Sequence, residues 1–300
     1  MPSSDPAEAA LAPVVGDDAL AAVLASSHQL LLCLAADWQA TSGRLQRFER
    51  TAAGWQPVGA AWPVMLGRNG LAWGMAGAPA GAPAGAVEKT LATAEKAGAA
   101  VAAKNAAEST ARVTAENLPE NPHAPGPVAA LDPVAAATTP PRKIEGDGRA
   151  PVGVFPVTAV FGYAAADSAL AQALRLPYLV AHPGLQCVDD LASAHYNQVV
   201  DRATVTVDWG SAEEMRRADG RYELGAVLAY NQPPQPGLGS CNFLHVWEAP
   251  GVPTAGCTAL ALPAMRELAL WLDAAARPLL LQWPQAEYAA RRAAWGLPDL

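Results

Sequence analysis

One histidine and one cysteine, His245 and Cys257, flank a turn rich in proline and glycine in the stretch LHVWEAPGVPTAGCTALAL, Leu244 to Leu262. A cysteine attacks a carbonyl as its thiolate, so it needs a base or a cationic imidazole nearby to lower a pKa that is about 8.5 in water. Period-two alternation through FLHVW puts Phe243, His245 and Trp247 on one face of a strand, with Leu244 and Val246 on the other. The chain then turns through Pro250, Gly251 and Pro253 and arrives at TAGCT, a connection of a length that can bring the two side chains together. Gly256 lets backbone pass close to a substrate carbonyl, and the amides of Gly256, Cys257 and Thr258 are the candidate oxyanion hole. On spacing alone, a buried structural thiol is the commoner explanation of such a pair.

Further candidates surround this pair. Asp189 and Asp190 either bind a substrate ammonium or form a turn. Tyr230 and Asn231 end a strand and are candidates to line a cleft, and Arg149 either meets a substrate carboxylate or lies in solvent. Trp247 either walls the cleft or packs in the core, and Thr254 either orients His245 or shapes the turn. His182 and His195 read as surface or packed histidines. The four cysteines show no CxxC spacing and the five histidines no HxxxH or HExxH, so neither a metal site nor a cofactor is expected.

The elements that must position these residues are mostly strands. HQLLLCLAADW (28–38) reads as a buried strand, and RLQRFERTAAGWQPVGAAWPVMLGRNG as two or three short strands joined at glycine turns. A Gly-Asp-Gly turn at 146–148 leads into another strand. ELGAVLAYNQ, CNFLHVW and LLLQWP are strands, while ADSALAQALRL and LPAMRELALWLDAAARP are helical, the latter ending before Pro278. Between Gly77 and Lys143 the composition turns to Ala, Pro and Gly around a helix-favouring middle, Val87 to Asn117. The predicted organisation is a flexible tail (1–26), one domain (27–285) interrupted by an insertion (77–143), and a helical C-terminal tail (286–300). The fold class is mainly β, a β-rich α+β arrangement with a few packed helices.

A formal net charge of -8 leaves no electrostatic footprint for nucleic acid. No uninterrupted apolar run is long enough for a membrane span.

The segment H245…T254-A-G-C257-T258 resembles the catalytic segment of the YkuD-type L,D-transpeptidase family. GDGRAPVGVF (146–155) is similar to that family's G-x-x-x-T-P-x-G-x-F strand, and GRNGLAWG (67–74) and CVDDLASAHYN (187–197) resemble segments of a short-loop proteobacterial branch. The likeness covers about residues 28–77 and 142–284. Ala255 stands where the family commonly has histidine, Ala259 where it has arginine and Ala150 where it has threonine; the His-to-Cys connection is shorter than usual.

The resemblance implies a YkuD-like β-sandwich and a periplasmic enzyme whose signal peptide has already been removed from this chain. It implies that Cys257 attacks a peptidoglycan tetrapeptide stem and expels D-Ala, leaving a thioester that a neighbouring stem's amine resolves (3→3, or 1→3). His245 is then the base. The same acyl-enzyme resolved by water gives an L,D-carboxypeptidase or amidase, and loss of competence gives a non-catalytic peptidoglycan-binding scaffold. In an oxidising periplasm Cys187 and Cys241 can pair, with Cys33 left as a buried thiol.

Overall fold

The computed structural model describes residues 23–74 and 140–299. The helix-favouring middle of the insertion and most of the N-terminal tail therefore lie outside the described residues.

The apolar run QLLLCLA forms β1 (Gln29–Ala35), buried along its whole length. It is followed by β2 (Ser42–Thr51) and β3 (Gly54–Met65), two long strands rather than three short ones. They form a hairpin whose tight turn ends at Gly54, φ 94°. Next come β4 (Leu71–Trp73) and, after the insertion, β5 (Ala150–Gly162). A short helix α1 (Ala169–Ala173), capped by the Ser168 side chain, leads to β6 (Tyr178–Val180). Three short strands follow, β7 (Leu185–Val188), β8 (Val199–Asp201) and β9 (Ala212–Glu214). The chain ends with β10 (Leu224–Leu228), β11 (Phe243–Val246), β12 (Thr258–Leu260), α2 (Leu262–Trp271), β13 (Leu279–Pro284) and α3 (Gln285–Arg291). The helical prediction after Leu262 runs too far: α2 stops at Trp271, and Asp273 caps a separate 3-10 turn, Ala274–Ala276.

The strands form a closed path rather than the two facing sheets of a sandwich. Eight of them follow the order β10-β11-β12-β3-β2-β1-β13-β5, and β5 pairs back onto β10. Closure removes the free edges that a sandwich must otherwise protect. Strand β5 makes it possible by pairing with β13 through Gly153–Pro156 and with β10 through Val157–Gly162. β8, β7 and β9 form a separate three-stranded sheet in that order.

The register of β5 against β10 slips between Val227 and Leu228, opposite Thr158. An extra residue at a bulge moves every later side chain to the opposite face. Val157 and Val160 consequently both face the barrel interior, and Phe161 turns out of it into a second core. The barrel core joins β1, β13, α2 and the C-terminal segment, where Tyr288, Trp295 and Leu297 are buried. Residues 286–299 are thus packed structure rather than a tail, and Leu24, 1% exposed, belongs to the same core.

Gly225 in β10 lies opposite His245. A Cβ there would come within 2.2 Å of Phe161 Cζ and 2.7 Å of the Leu244 carbonyl oxygen. Overpacking of this kind costs about 1–3 kcal/mol. Gly225→Ala should lower the urea midpoint accordingly with an unchanged slope; an unchanged midpoint would contradict the close packing of β5, β10 and β11.

Candidate functional site

The second core lies between the outer face of β5, β10 and β11 and the three-stranded sheet. It contains Phe161, Leu185, Cys187, Met215, Tyr222, Cys241, Phe243 and Cys257. Phe161, Tyr222 and Phe243 pack edge to face, with ring centroids 5.3–5.7 Å apart, and Tyr222 meets the His245 ring at 5.2 Å. The alternation predicted for FLHVW is present: Leu244 enters the barrel core, and Phe243 the second.

β11 and β12 are parallel neighbours, with Leu244 opposite Thr258 and His245 opposite Ala259. Parallel neighbours ordinarily need a crossover of a dozen or more residues. Here residues 247–257 suffice because the loop is tied down midway: Thr254 N–H donates to the Leu66 carbonyl and Arg68 N–H to the Thr254 carbonyl, both at 2.8 Å. The Thr254 hydroxyl donates to the Cys257 carbonyl (2.7 Å) and accepts from Gly256 N–H (3.1 Å). Thr254 therefore shapes the turn. Gly256 N–H is engaged in this turn and is not a free oxyanion donor. A Cβ at Gly256 would lie 3.1 Å from the Arg149 carbonyl oxygen, which explains the glycine there. Thr258 is a buried strand residue whose hydroxyl donates to Gln282 Oε1 (2.6 Å), while Gln282 Nε2 donates to the Pro151 carbonyl (2.9 Å). This chain of bonds fixes the start of β12 to β13 and β5 from inside the barrel.

Cys257 and His245 share a face but not a hydrogen bond among the described residues. The Cys257 thiol donates to the Cys241 carbonyl (3.5 Å) and accepts from Phe243 N–H (3.4 Å). His245 lies two residues further along the strand, about 6.6 Å at the usual strand rise. Its Nδ1 meets the Val246 carbonyl at 2.8 Å. Since a carbonyl only accepts, the proton sits on Nδ1 and Nε2 carries the lone pair. Burial dominates both titrations. It pushes the Cys257 thiol up to about 12, with the Glu213 charge adding to it and the Phe243 N–H opposing. It holds His245 down at about 4, the Val246 hydrogen bond opposing. At neutral pH both groups are uncharged.

The other candidates divide. Asp190 accepts from Gly210 N–H (2.7 Å) and Ala192 N–H (3.0 Å), which holds its carboxyl below the usual range; it is a loop clamp. Asp189 accepts from the Ser211 hydroxyl. Tyr230 is a core residue: it is 1% exposed, its ring packs on Phe155 and its hydroxyl donates to the Leu238 carbonyl. Asn231, fully buried at φ 52°, bonds Gln235 and Gly239 and holds its own loop. Neither lines a cleft. Arg149 is half-buried with its guanidinium on the Leu71 carbonyl (3.2 Å), beside the Gly256 turn. Trp247 is half-buried next to the site. His182 lies 3.7 Å from Asp201, and His195 packs against Trp209.

Cys187 and Cys241 are joined in a disulfide, and Cys33 and Cys257 are free and buried. The bridge ties β7 to the residue whose carbonyl holds the Cys257 thiol.

Two polar groups here do not stand out in the sequence. Glu213, opposite Cys187 in the β7–β9 register, accepts from the Tyr222 hydroxyl, and burial raises its carboxyl. Lys143, assigned from composition to the insertion, is instead 6% exposed and ion-paired with Asp147 at 2.6 Å. AEEMRRADGRY is dominated by charged residues, and only the apolar Met215 and the ring of Tyr222 hint at burial.

No protein-family model, no curated protein and no solved structure matches the chain. Among the described residues, no helix is long and apolar enough to cross a membrane.

Two outcomes follow from the buried neutral site. The unfolded chain takes up a proton on His245 below about 6.5 while the folded chain resists until about 4. His245 therefore contributes stability above pH 6.5 that is lost as the pH falls toward 4, on the order of 3 kcal/mol. Urea midpoints should fall less steeply over that window in His245→Gln than in wild type; parallel curves would contradict the burial. Removing the Cys187–Cys241 bridge by paired Ser substitutions should cost about 2–4 kcal/mol. Under denaturing, non-reducing conditions two of the four thiols should titrate, and four titrating thiols would contradict the bridge.

Proposed function

We propose that the protein is a cysteine-dependent acyltransferase acting on peptidoglycan stem peptides, an L,D-transpeptidase of the YkuD type working in the periplasm. The observation that carries this reading is the parallel pairing of β11 and β12. It sets His245 and Cys257 on one face, with the His245 tautomer fixed by the Val246 carbonyl and the basic nitrogen without a hydrogen bond among the described residues. The Cys187–Cys241 disulfide supports an oxidising compartment. The resemblance of residues 146–155 and 244–262 to that family supports the substrate class.

In the first step the Cys257 sulfur leaves the Cys241 carbonyl and attacks the carbonyl of the stem's L-centre, and the proton it gives up is returned to the nitrogen of D-Ala as the C–N bond breaks. D-Ala departs and a thioester remains. Amides at the start of β12 face the developing oxyanion, with Cys257 N–H the leading donor because Gly256 N–H is engaged by Thr254. In the second step His245 Nε2 takes the proton of the acceptor amine, the side chain of diaminopimelate (3→3) or the first L-Ala (1→3). Ala259, adjacent to His245, presents no guanidinium to either stem. Arg149, Trp247 and Asp189 are the neighbouring groups available to contact substrate.

A second reading has an observation of its own. A neutral thiol and a neutral imidazole that do not touch suit a non-catalytic peptidoglycan-binding scaffold. Incubation with a purified disaccharide-tetrapeptide, followed by chromatography of the muropeptides, separates the readings. The transpeptidase yields a cross-linked dimer that Cys257→Ala abolishes and His245→Ala reduces by roughly 10²-fold or more. Release of D-Ala without dimer indicates the hydrolase, an L,D-carboxypeptidase or amidase. An unchanged substrate with folded wild-type protein indicates the scaffold.

A further inference from the structure

The mechanism above leaves one half-buried carboxylate, Glu213, without a task and one proton without a route. Glu213 points into the second core beside the disulfide, because it lies directly opposite Cys187 across the β7–β9 ladder. Its carboxylate accepts from Tyr222. The Tyr222 ring is gripped edge to face by Phe161, Phe243 and His245, which fixes where its hydroxyl points. Tyr222 and Cys257 share this small core, and the hydroxyl is near enough to the thiol to oppose the upward push of burial on it. His245 bonds Val246 instead of the thiol.

We propose that the Cys257 thiol proton leaves through the Tyr222 hydroxyl to Glu213, making Tyr222 a catalytic residue of acylation and Glu213 the proton acceptor that acts through it. The proposal rests on the acyl-transfer reading and deepens it by dividing the proton work: Tyr222 and Glu213 serve the first step, His245 the second.

The step balances. The S–H bond breaks and its electron pair stays on sulfur to form the C–S bond with the stem carbonyl. The proton joins the Tyr222 oxygen as the proton Tyr222 already donates passes to Glu213. Glu213 ends neutral and Tyr222 unchanged. When the tetrahedral intermediate collapses, the same path runs backwards and delivers the proton to the departing D-Ala amine. Burial favours this use of Glu213, since a carboxyl with a raised affinity for protons is a better acceptor at neutral pH. The charges facing Glu213 are Arg217, Asp189 and Glu145. Those facing Cys257 are Glu213 and Lys143, and those facing His245 are Arg221, Arg217 and Asp219. Once Glu213 is protonated, the charge that opposes a thiolate at Cys257 is gone.

The test compares wild type, Glu213→Gln and Tyr222→Phe, all nearly isosteric, in two measurements. The first is the pH profile of Cys257 alkylation by iodoacetamide, which needs no peptidoglycan. The second is single-turnover release of D-Ala from the disaccharide-tetrapeptide. Glu213→Gln removes a charge that opposes the thiolate, so alkylation should be faster with its midpoint at lower pH. Its D-Ala release should nevertheless slow by roughly 10²-fold or more, because the amide cannot accept the proton. Tyr222→Phe should move the alkylation midpoint upward and slow D-Ala release by a similar factor. Opposite movement of the two readouts in Glu213→Gln is what a merely structural role cannot produce. Wild-type rates of D-Ala release in Glu213→Gln, or both readouts falling together, would overturn the proposal. If wild type releases no D-Ala, the transpeptidase reading fails. The alkylation profiles then decide the coupling alone: the predicted shifts support it and identical profiles refute it.

Discussion

The slip of register at Thr158 is the constraint on which the rest of the molecule depends. Without it the alternation running on from Val157 would put Phe161 inside the barrel, and Phe161 would not reach the second core. With it, a single strand serves two cores: Val157 and Val160 in the barrel, Phe161 outside. The same handover lets β5 pair first with β13 and then with β10, which closes the ring of strands. The Cys257 thiol lies in the core that this change of face creates. Gly225 provides room for it, since any side chain there would collide with the Phe161 ring.

Burial in that second core sets the chemistry of the site. A thiol pushed up to about 12 and an imidazole held at about 4 are a resting pair, not a preformed ion pair. The thiol is held by backbone, through the Cys241 carbonyl and Phe243 N–H, and Cys241 is in turn held by its bridge to Cys187. Cys241 N–H also donates to Asn197 Oδ1 at 3.0 Å, linking it to the turn that precedes β8. On the acyl-transfer reading, activation requires a proton acceptor close to the thiol. That is the task we propose for Glu213, whose affinity for protons desolvation raises, and for Tyr222, whose hydroxyl bonds it.

Much of this was legible in the sequence. The strands around Leu30, Phe155, Val227 and Leu244 announce themselves by apolar runs or alternation, and His245 and Cys257 by type and spacing. The alternation in FLHVW predicts which side chains share the His245 face, and the placement of Phe243 and Leu244 agrees. Closure into a barrel was not legible, because it depends on β1 pairing with β13 across most of the chain and on a bulge that leaves no mark on TAVFG. Tyr230 and Asn231 were expected at a cleft because they end a strand. They are buried instead, since the following loop folds back and hydrogen-bonds them. Glu213 was hidden for the opposite reason: adjacent acidic residues look solvated, and only the pairing with Cys187 shows that one of the two points inward.

The most direct test of the central claim, that Cys257 is a nucleophile toward a stem peptide, is the intact mass of the protein after brief mixing with excess disaccharide-tetrapeptide and acid quenching. The account predicts an adduct of the donor's mass less D-Ala, located on the peptide that contains Cys257 and absent from Cys257→Ala. Folded protein that stays at its unmodified mass, or an adduct that persists in Cys257→Ala, would contradict it.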